Sequence, residues 1–557
     1  MNYRKEYERW INHTKGTIKK ELEAMDEALI EDAFYQELTF GTGGLRGTIG
    51  AGTNRMNTYV VARASQGLAN YLRKLGGGSS VVIGYDSRIN SDIFAKTAAS
   101  VIAANNLTVL LWPELNPVPT VSFAVRYLGA SGGIMITASH NPSQYNGFKV
   151  YGSDGCQITT DVAKEILNEI NTLDIFSDVK SMDFDEAMTI GRIKYIEPSV
   201  LTAYIEEVKR QSVLYDDEIN RDVAIVYTPL NGTGLIPVTR VLAECGFTNI
   251  TVVEEQRDPD GRFPTCPYPN PEIREAMELG LRYCEDNGAD ILMATDPDAD
   301  RCGIAIKDDK GYRLISGNEV GILLLDFICS QREKHGKMPT KPIFIKTIVT
   351  TDLSEKIANH YGIETINVLT GFKYIGEQIC KLEKCGRESD YICGFEESYG
   401  YLTGAYIRDK DAVNAAFMIC EMFAFYKTRG ISLITKLDEI YSEYGYCLNT
   451  LHSFEFEGSI GLKKMQLAMD EFRINRDIIG GTAIIKTEDY FEGLNGLPAA
   501  DVLKFFIDSG FVVVRPSGTE PKLKVYISIM SSDKQSARIL ENCIITKIKE
   551  QIDRITM

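Results

Sequence analysis

The sequence predicts an α/β chain made of three copies of one strand-helix-strand-helix-strand unit, followed by a smaller α+β segment. Three observations carry that expectation. The same order of elements recurs three times between residues 80 and 398. Each copy closes its last apolar run with a polar loop rich in reactive side chain types. From about residue 480 the alternation gives way to short strands and one long helix. Alternating elements imply parallel sheets with right-handed crossovers, whose ligands gather at the carboxyl ends of the strands. One cleft shared by the three loops is the economical arrangement.

Residues 3 to 30 set Tyr7, Ile11, Ile18 and Leu22 at helical spacing among charges, which predicts one or two surface helices. Phe40-Gly41-Thr42-Gly43-Gly44-Leu45-Arg46-Gly47 reads as a glycine-rich turn carrying one arginine. Its glycines lack the dinucleotide-binding spacing, and no strand-turn-helix context is expected after it. The first copy has strands at 80–86, 107–112 and 132–136 and helices at 92–105 and 120–128. Its last strand runs into Thr137-Ala138-Ser139-His140-Asn141-Pro142. Pro142 has no N–H and restricts Asn141, so neither strand nor helix continues there. Asn146-Gly147 is turn chemistry, and an apolar run resumes over 148–151.

The second copy has strands at 223–227, 250–253 and 289–294, with helices at 234–245 and 271–285, and ends in Thr295-Asp296-Pro297-Asp298-Ala299-Asp300-Arg301. The third has strands at 342–348, 365–369 and 391–394, with helices at 352–360 and 372–382, and ends in Gly394-Phe395-Glu396-Glu397-Ser398. Strands at 481–485, 502–507, 511–515 and 522–530 and a helix over 533–552 then suggest a mostly antiparallel α+β domain. Arg515-Pro516-Ser517-Gly518-Thr519 lies between the last two of these strands. The expected domains are 1–205, 206–322, 323–450 and 451–557.

With 557 residues and 44% hydrophobic content the chain can bury several cores, roughly three to five domains. A formal charge of −17 with no basic block argues against a nucleic-acid partner. Any phosphate site must therefore be assembled locally from Arg, Lys and backbone N–H groups. The twelve cysteines are scattered without a CxxC pair, and no histidine near Cys380 and Cys385 completes a zinc site. Free thiols in a reducing cytosol are expected. The charged start of the chain does not resemble a secretory signal, and no apolar run reaches membrane-spanning length. A cytoplasmic protein with no membrane partner is the expectation.

The four loops suggest chemistry. Ser139 on a tight strand-end loop is a candidate nucleophile with His140 beside it. On a flat strand the three aspartates would sit roughly 7 Å apart, so only a curled loop could converge them. Converged, Asp296, Asp298 and Asp300 offer hard oxygens suited to Mg²⁺ with positions open to phosphate. An EF-hand fails, because Arg301 stands where glycine is needed and Lys307 where glutamate is needed. A D-x-D after a strand also fits a haloacid-dehalogenase-type aspartyl nucleophile, an alternative this loop leaves open. Arg515, Ser517, Gly518 and Thr519 suit a phosphate dianion, and Glu396 with Ser398 suits vicinal sugar hydroxyls. Together the loops fit phosphoryl transfer on a sugar phosphate, with Arg46, Arg301 and Lys149 as further charge stabilisers. A serine hydrolase fits less well, since adjacent Ser139 and His140 do not easily adopt triad geometry.

These residues closely resemble the α-D-phosphohexomutase superfamily. The resemblance covers nearly the whole chain through TASHNP at 137–142, DPDADR at 296–301, GFEES at 394–398 and RPSGT at 515–519. FGTGGLRG at 40–47, GYDSR at 84–88, NGFK at 146–149 and TGFK at 370–373 support it. It implies four domains around a central cleft, three of them α/β and related. It implies a phosphoserine at Ser139 that converts a sugar monophosphate through a 1,6-bisphosphate, with Mg²⁺ on Asp296, Asp298, Asp300 and a phosphoserine oxygen. Arg46, His140 and Lys149 would stand near the transferring group, Lys149 as general acid or base with a pKa lowered by Arg46 and Arg301. Thr370, Gly371, Lys410, Glu396 and Ser398 would contact the sugar. Arg515, Ser517, Gly518 and Thr519, helped by Lys524, would hold the second phosphate, with closure of the last domain over the substrate. The glutamate pair in GFEES resembles glucose-directed members and implies glucose 1-phosphate and glucose 1,6-bisphosphate as ligands. Phe395 and the Ser-Tyr-Gly-Tyr-Leu run resemble a subgroup with phosphopentomutases and bisphosphate synthases, so mannose, pentose and phosphatase alternatives stay open.

Overall fold

The computed structural model of the chain describes residues 2–41, 43–76, 80–456, 458–474, 476–517 and 522–556. Two compact units emerge. One comprises Met1–Gly317 with Gly371–Arg429, the other Asn318–Thr370 with Gly430–Met557.

The larger unit begins with three helices, Tyr3–His13, Gly16–Glu23 and Glu27–Phe34, where one or two were expected. Asn2 and Asp26 cap the first and third by accepting from Lys5 N and Leu29 N. They are more than a surface layer. Trp10, Leu22 and Phe34 are fully buried with Ala51 in a satellite core, Trp10 edge-on to Phe34 at 5.7 Å.

Behind it stands a six-stranded mixed sheet in the order Leu45–Thr48, Tyr145–Gly152, Gly132–Ile136, Ser80–Tyr85, Thr108–Leu111, Ile193–Tyr195. The last four strands run parallel to one another, whereas Tyr145–Gly152 is antiparallel to both its neighbours. Val81, Ile83, Ile134 and Ile136 pack here with Ala95, Ala99 and Ile102 of the helix Ser91–Ala104. Two sequence expectations change. Asn146 and Gly147 are not a turn but lie inside a central strand. A Cβ on Gly147 would stand 2.5 Å from Thr137 O and 2.8 Å from Leu45 O, so glycine serves close approach of three strands. Gly41 and Gly44 do form a hydrogen-bonded turn, but Leu45–Thr48 leaves it as an edge strand carrying Arg46 and the helix Thr58–Lys74 follows.

The second copy repeats the plan in the order Gly311–Ile315, Cys302–Asp308, Ile291–Thr295, Ile225–Thr228, Ile250–Val252, the last three parallel and the first two antiparallel additions. In both copies the polar loop joins the last parallel strand to a returning antiparallel one. The larger unit also holds the helix Phe372–Lys384 and the antiparallel pair Tyr391–Glu396 and Gly400–Thr403, again joined by a polar loop.

The smaller unit contains the parallel pair Ile343–Thr347 and Glu364–Val368. It also contains an all-antiparallel sheet in the order Tyr446–Glu455, Lys522–Ser531, Gly510–Pro516, Leu503–Ile507, Lys486–Asp489. Phe505, Val512, Val514, Val525 and Ile527 bury one face against Met469 and Phe472 of Gly458–Ile474 and Ile544 and Ile548 of Lys534–Thr556. The strand expected at 481–485 is instead a small hairpin of Ile478–Ile479 with Thr482–Ala483, turned by Gly480 and Gly481 at φ +55° and +74°. The expected domain limits at 205, 322 and 450 fall within Pro198–Lys209, Gly317–Lys334 and Tyr446–Glu455. No described helix is long and apolar enough to cross a membrane.

Candidate active site

The serine loop leaves a strand, Gly132–Ile136, whose residues are all buried. Ser139 adopts φ +52°, a left-handed conformation that a residue with a side chain adopts only under restraint. The restraint is Arg88. Its buried guanidinium donates to Ser139 O at 2.6 Å, to Pro142 O and Tyr145 O at 2.9 Å each, and to Asn141 O. Asp86 faces it at 3.6 Å. Burial draws the Arg88 pKa down to about 10, which keeps it cationic near neutrality. Thr137 Oγ1 accepts from Ser139 N at 2.8 Å, and its own hydroxyl donates to Asp298 Oδ2 at 3.1 Å.

Ser139 Oγ donates to Asp296 Oδ2 at 2.8 Å and lies 3.1 Å from His140 Nδ1. The adjacent pair thus does reach hydrogen-bonding distance, against the sequence expectation. The carboxylate binds the serine and not the imidazole, so this is not a relay triad. Burial, then Arg301 and Arg46, hold the His140 pKa well below its ordinary value, which leaves a neutral ring. Arg46 donates to Asn141 Oδ1 at 3.0 Å, which sets it beside the same loop.

The aspartate loop does curl. Ala299 sits at φ +49°, and Asp296 Oδ1 accepts from Asp300 N at 3.0 Å and Arg301 N at 2.9 Å. Asp296, Asp298 and Asp300 are buried, and one oxygen from each lies within 4.8 Å of the others. Asp298 Oδ1 and Asp300 Oδ1 are buried without a hydrogen-bond donor among the described residues. Such a cluster needs positive charge, and its all-oxygen donors fit a hard divalent cation. Burial and mutual repulsion push the Asp296 carboxyl well above the usual range. For Asp298 burial acts in the same sense but Lys149 outweighs it and holds the group low.

Lys149 Nζ contacts Asp298 Oδ2 at 2.9 Å and Asp300 Oδ2 at 3.4 Å. Its expected lowered pKa is corrected by this geometry. Burial alone would lower it, but Asp298 and Asp300 raise it above its ordinary value. Lys410 Nζ joins from the other side, 3.0 Å from Asp300 Oδ2. It passes over Gly400, where a Cβ would stand 2.2 Å from Lys410 Cδ.

Glu396 ends its strand buried, and its Oε1 accepts from Gly371 N at 2.8 Å. Burial raises its pKa while Lys410 and Arg301 oppose the shift. Arg301 is also paired with Glu272. Ser398 is half-buried in the following turn. Within the larger unit the structure therefore gathers Arg46, Ser139, His140, Lys149, the three aspartates, Arg301, Gly371, Glu396 and Lys410.

The remaining site residues lie in the smaller unit. Thr370 Oγ1 is buried without a hydrogen-bond partner among the described residues. Arg515 and Lys524 are directly paired across antiparallel strands and so share a face. Ser517 N donates to Lys522 O at 2.7 Å, which closes the base of the loop. Gly518 and Thr519 lie outside the described residues. Sequence reasoning did not single out Arg88, Thr137, Glu272 or Asp409. Asp409 accepts from Tyr151 OH at 2.9 Å beside Lys410. GYDSR contained Arg88, but nothing local marks an arginine whose partners lie more than fifty residues on.

Comparison with known proteins agrees with this layout. Models described as phosphoglucomutase/phosphomannomutase alpha/beta/alpha domains I, II and III match residues 37–175, 202–311 and 316–444. The C-terminal domain model of the same family matches 481–544. A phosphoglucomutase of Staphylococcus saprophyticus subsp. saprophyticus is 35% identical, covering 93% of this chain and 96% of its own. Parafusin, a phosphoglucomutase of Paramecium solved in an open form, matches with TM-score 0.69 at 16% identity over 93% of this chain and 96% of its own. An Aspergillus fumigatus N-acetylphosphoglucosamine mutase, solved with GlcNAc-6P and magnesium, matches with TM-score 0.53 at 14% identity over 93% and 96%. With all four domain models matched in order across the loops described above, the chain belongs to the phosphoglucomutase/phosphomannomutase family.

Proposed function

We propose that the protein is an isomerase of the phosphoglucomutase type. It interconverts α-D-glucose 1-phosphate and glucose 6-phosphate through a phosphoserine at Ser139 and a glucose 1,6-bisphosphate intermediate. The observation that carries this reading is Ser139 Oγ at 2.8 Å from Asp296 inside a buried three-carboxylate cluster. That arrangement sets a nucleophile against a divalent-cation site. The glucose assignment draws on the relatives named phosphoglucomutase.

Asp296, Asp298, Asp300 and a Ser139 phosphate oxygen would hold Mg²⁺, which when bound supplies charge neutralisation for the transferring phosphoryl group. Arg88 fixes the Ser139 backbone so that Oγ faces the cluster. Lys149 enters protonated, so Nζ acts first as a positive donor to the transferring oxygens. The neutral His140 imidazole adds no charge beside the serine, and Arg46 and Arg301 flank the group. Glu396, Ser398, Lys410, Thr370 and Gly371 read the sugar hydroxyls. Arg515, Ser517, Gly518, Thr519 and Lys524 take the non-reacting phosphate.

Phosphorus NMR with Mg²⁺, α-glucose 1-phosphate and a trace of glucose 1,6-bisphosphate tests the proposal. A growing 6-phosphate resonance with no inorganic phosphate is expected. Inorganic phosphate would instead mark a phosphatase with an aspartate nucleophile. Silence with glucose but turnover of mannose or ribose 1-phosphate would move the substrate and keep the mechanism.

A further inference from the structure

Behind the aspartate loop lies a cleft that the proposed reaction does not use. Its volume is about 730 Å³, within the range of small-molecule sites. Its walls include Trp112, Asn116 and Pro117, Leu201 of the helix Pro198–Lys209, and Leu235 and Ile236 at the start of the helix Leu235–Glu244. Two features distinguish it from a plain apolar groove. Trp112 and Asn116 are only 6% and 5% exposed, yet Trp112 Nε1 and Asn116 Oδ1 have no hydrogen-bond partner among the described residues. A buried donor and a buried acceptor left unpaired are costly, and a ligand edge that answers both recovers that cost. The cleft's charged lining consists of the exposed carboxylates Glu114 and Asp258, with no lysine or arginine. Anions such as sugar phosphates are therefore disfavoured there.

The cleft is tied to the back of the aspartate loop. Val118 N, next to Pro117, donates to Asp298 O at 2.9 Å. Thr233, which lines the cleft, donates to Pro297 O from its N–H at 2.9 Å and from its hydroxyl at 3.0 Å. A Cβ on the neighbouring Gly232 would stand 2.4 Å from Pro297 Cα, so the two walls are in tight contact. We propose that this cleft is an effector site for an uncharged small molecule with an apolar body and an amide-like edge. The edge accepts from Trp112 Nε1 and donates to Asn116 Oδ1, and occupancy shifts the aspartate loop. The effector half rests on the mutase reading given above, whereas the binding half does not.

The chain has two tryptophans, and Trp10 Nε1 already donates to Glu6 Oε1 at 3.2 Å. Nitrogen-15 labelled indoles therefore give one reporter resonance and one internal reference, assigned with Trp10→Phe. The full-length protein is titrated with cyclohexanecarboxamide and, separately, with its isosteric anion cyclohexanecarboxylate. The Trp112 indole resonance is expected to move saturably with the amide while the Trp10 resonance stays, with at least tenfold weaker response to the carboxylate. Ile236, 59% exposed on the lip, can become Glu without disturbing the core, and Ile236→Glu should weaken the amide at least fivefold. Absence of a saturable shift, equal response to the carboxylate, or unchanged binding in Ile236→Glu would each overturn the site. Turnover should change by twofold or more at saturating amide in the wild type. Binding without that change, in protein that isomerises its substrate, would overturn the effector role alone.

Discussion

Ser139 and Arg88 divide the work at the residue scale. Ser139 Oγ is the proposed nucleophile, and Ser139→Ala should lower isomerisation at least about a thousandfold, since no neighbouring hydroxyl can take its place. Steady-state assay and the loss of a protein-bound phosphorus resonance would show it. Arg88 touches no reacting atom in this reading; it is a positioning residue. Its planar fork reaches four carbonyls of the serine loop at once, which an ammonium on a flexible stem cannot reproduce. Arg88→Lys should therefore lower kcat by about 10- to 100-fold, the scale of a small misplacement of a nucleophile. KM for the sugar phosphate should stay within about twofold. An equal loss in binding would mean that Arg88 contacts substrate instead.

The smaller unit carries a test at the scale of paired elements. Lys504 stands on the strand Leu503–Ile507, 5% exposed, donates to Ile348 O at 3.0 Å and lies 3.9 Å from the Phe511 ring centre. Burial lowers its pKa to about 8 from an ordinary 10.5, although Asp352 pulls the other way. Between pH 8 and 10.5 the unfolded chain then holds a proton that the folded chain has released. Wild-type stability should rise through that window relative to Lys504→Met, which has no such group. Thermal midpoints of both proteins at pH 7.5, 9 and 10.5 would read it, and a constant gap would contradict a lowered pKa. The strands of the three copies were legible because buried parallel strands are short apolar runs, such as Gly132–Ile136. Tyr446–Glu455 escaped notice because its outer half alternates between partly buried and exposed positions and carries polar residues at many of them. Leu45–Thr48 was hidden among glycines, whose role is close strand approach. At the site, the DPDADR loop was legible because its ligands are local in sequence. The raised pKa of Lys149 was not, because it depends on carboxylates 149 and 151 residues away.

For the whole molecule, the repeat read from the sequence translates into one structural rule, a polar loop between the last parallel strand and an antiparallel return. The domain limits were less legible, because Pro198–Lys209, Gly317–Lys334 and Tyr446–Glu455 each continue across an expected boundary. A property of the entire chain that the sequence did forecast is its thiol chemistry. All twelve cysteines are free, and only Cys385 and Cys543 are exposed. Cys245 is half-buried, and burial pushes its pKa up to about 11, so it has little thiolate at neutral pH. The remaining nine are buried, most in apolar surroundings such as Cys284, where burial raises the thiol to about 12. Native protein treated with a chromogenic disulfide reagent at pH 8 should therefore release two equivalents of thiol quickly and the rest only on unfolding in guanidinium. Reducing agent should leave the thermal midpoint unchanged, because no disulfide constrains the unfolded chain. Fast release well beyond two equivalents would mean that a buried segment opens on the timescale of the reaction, and mass spectrometry of the labelled peptides would identify it.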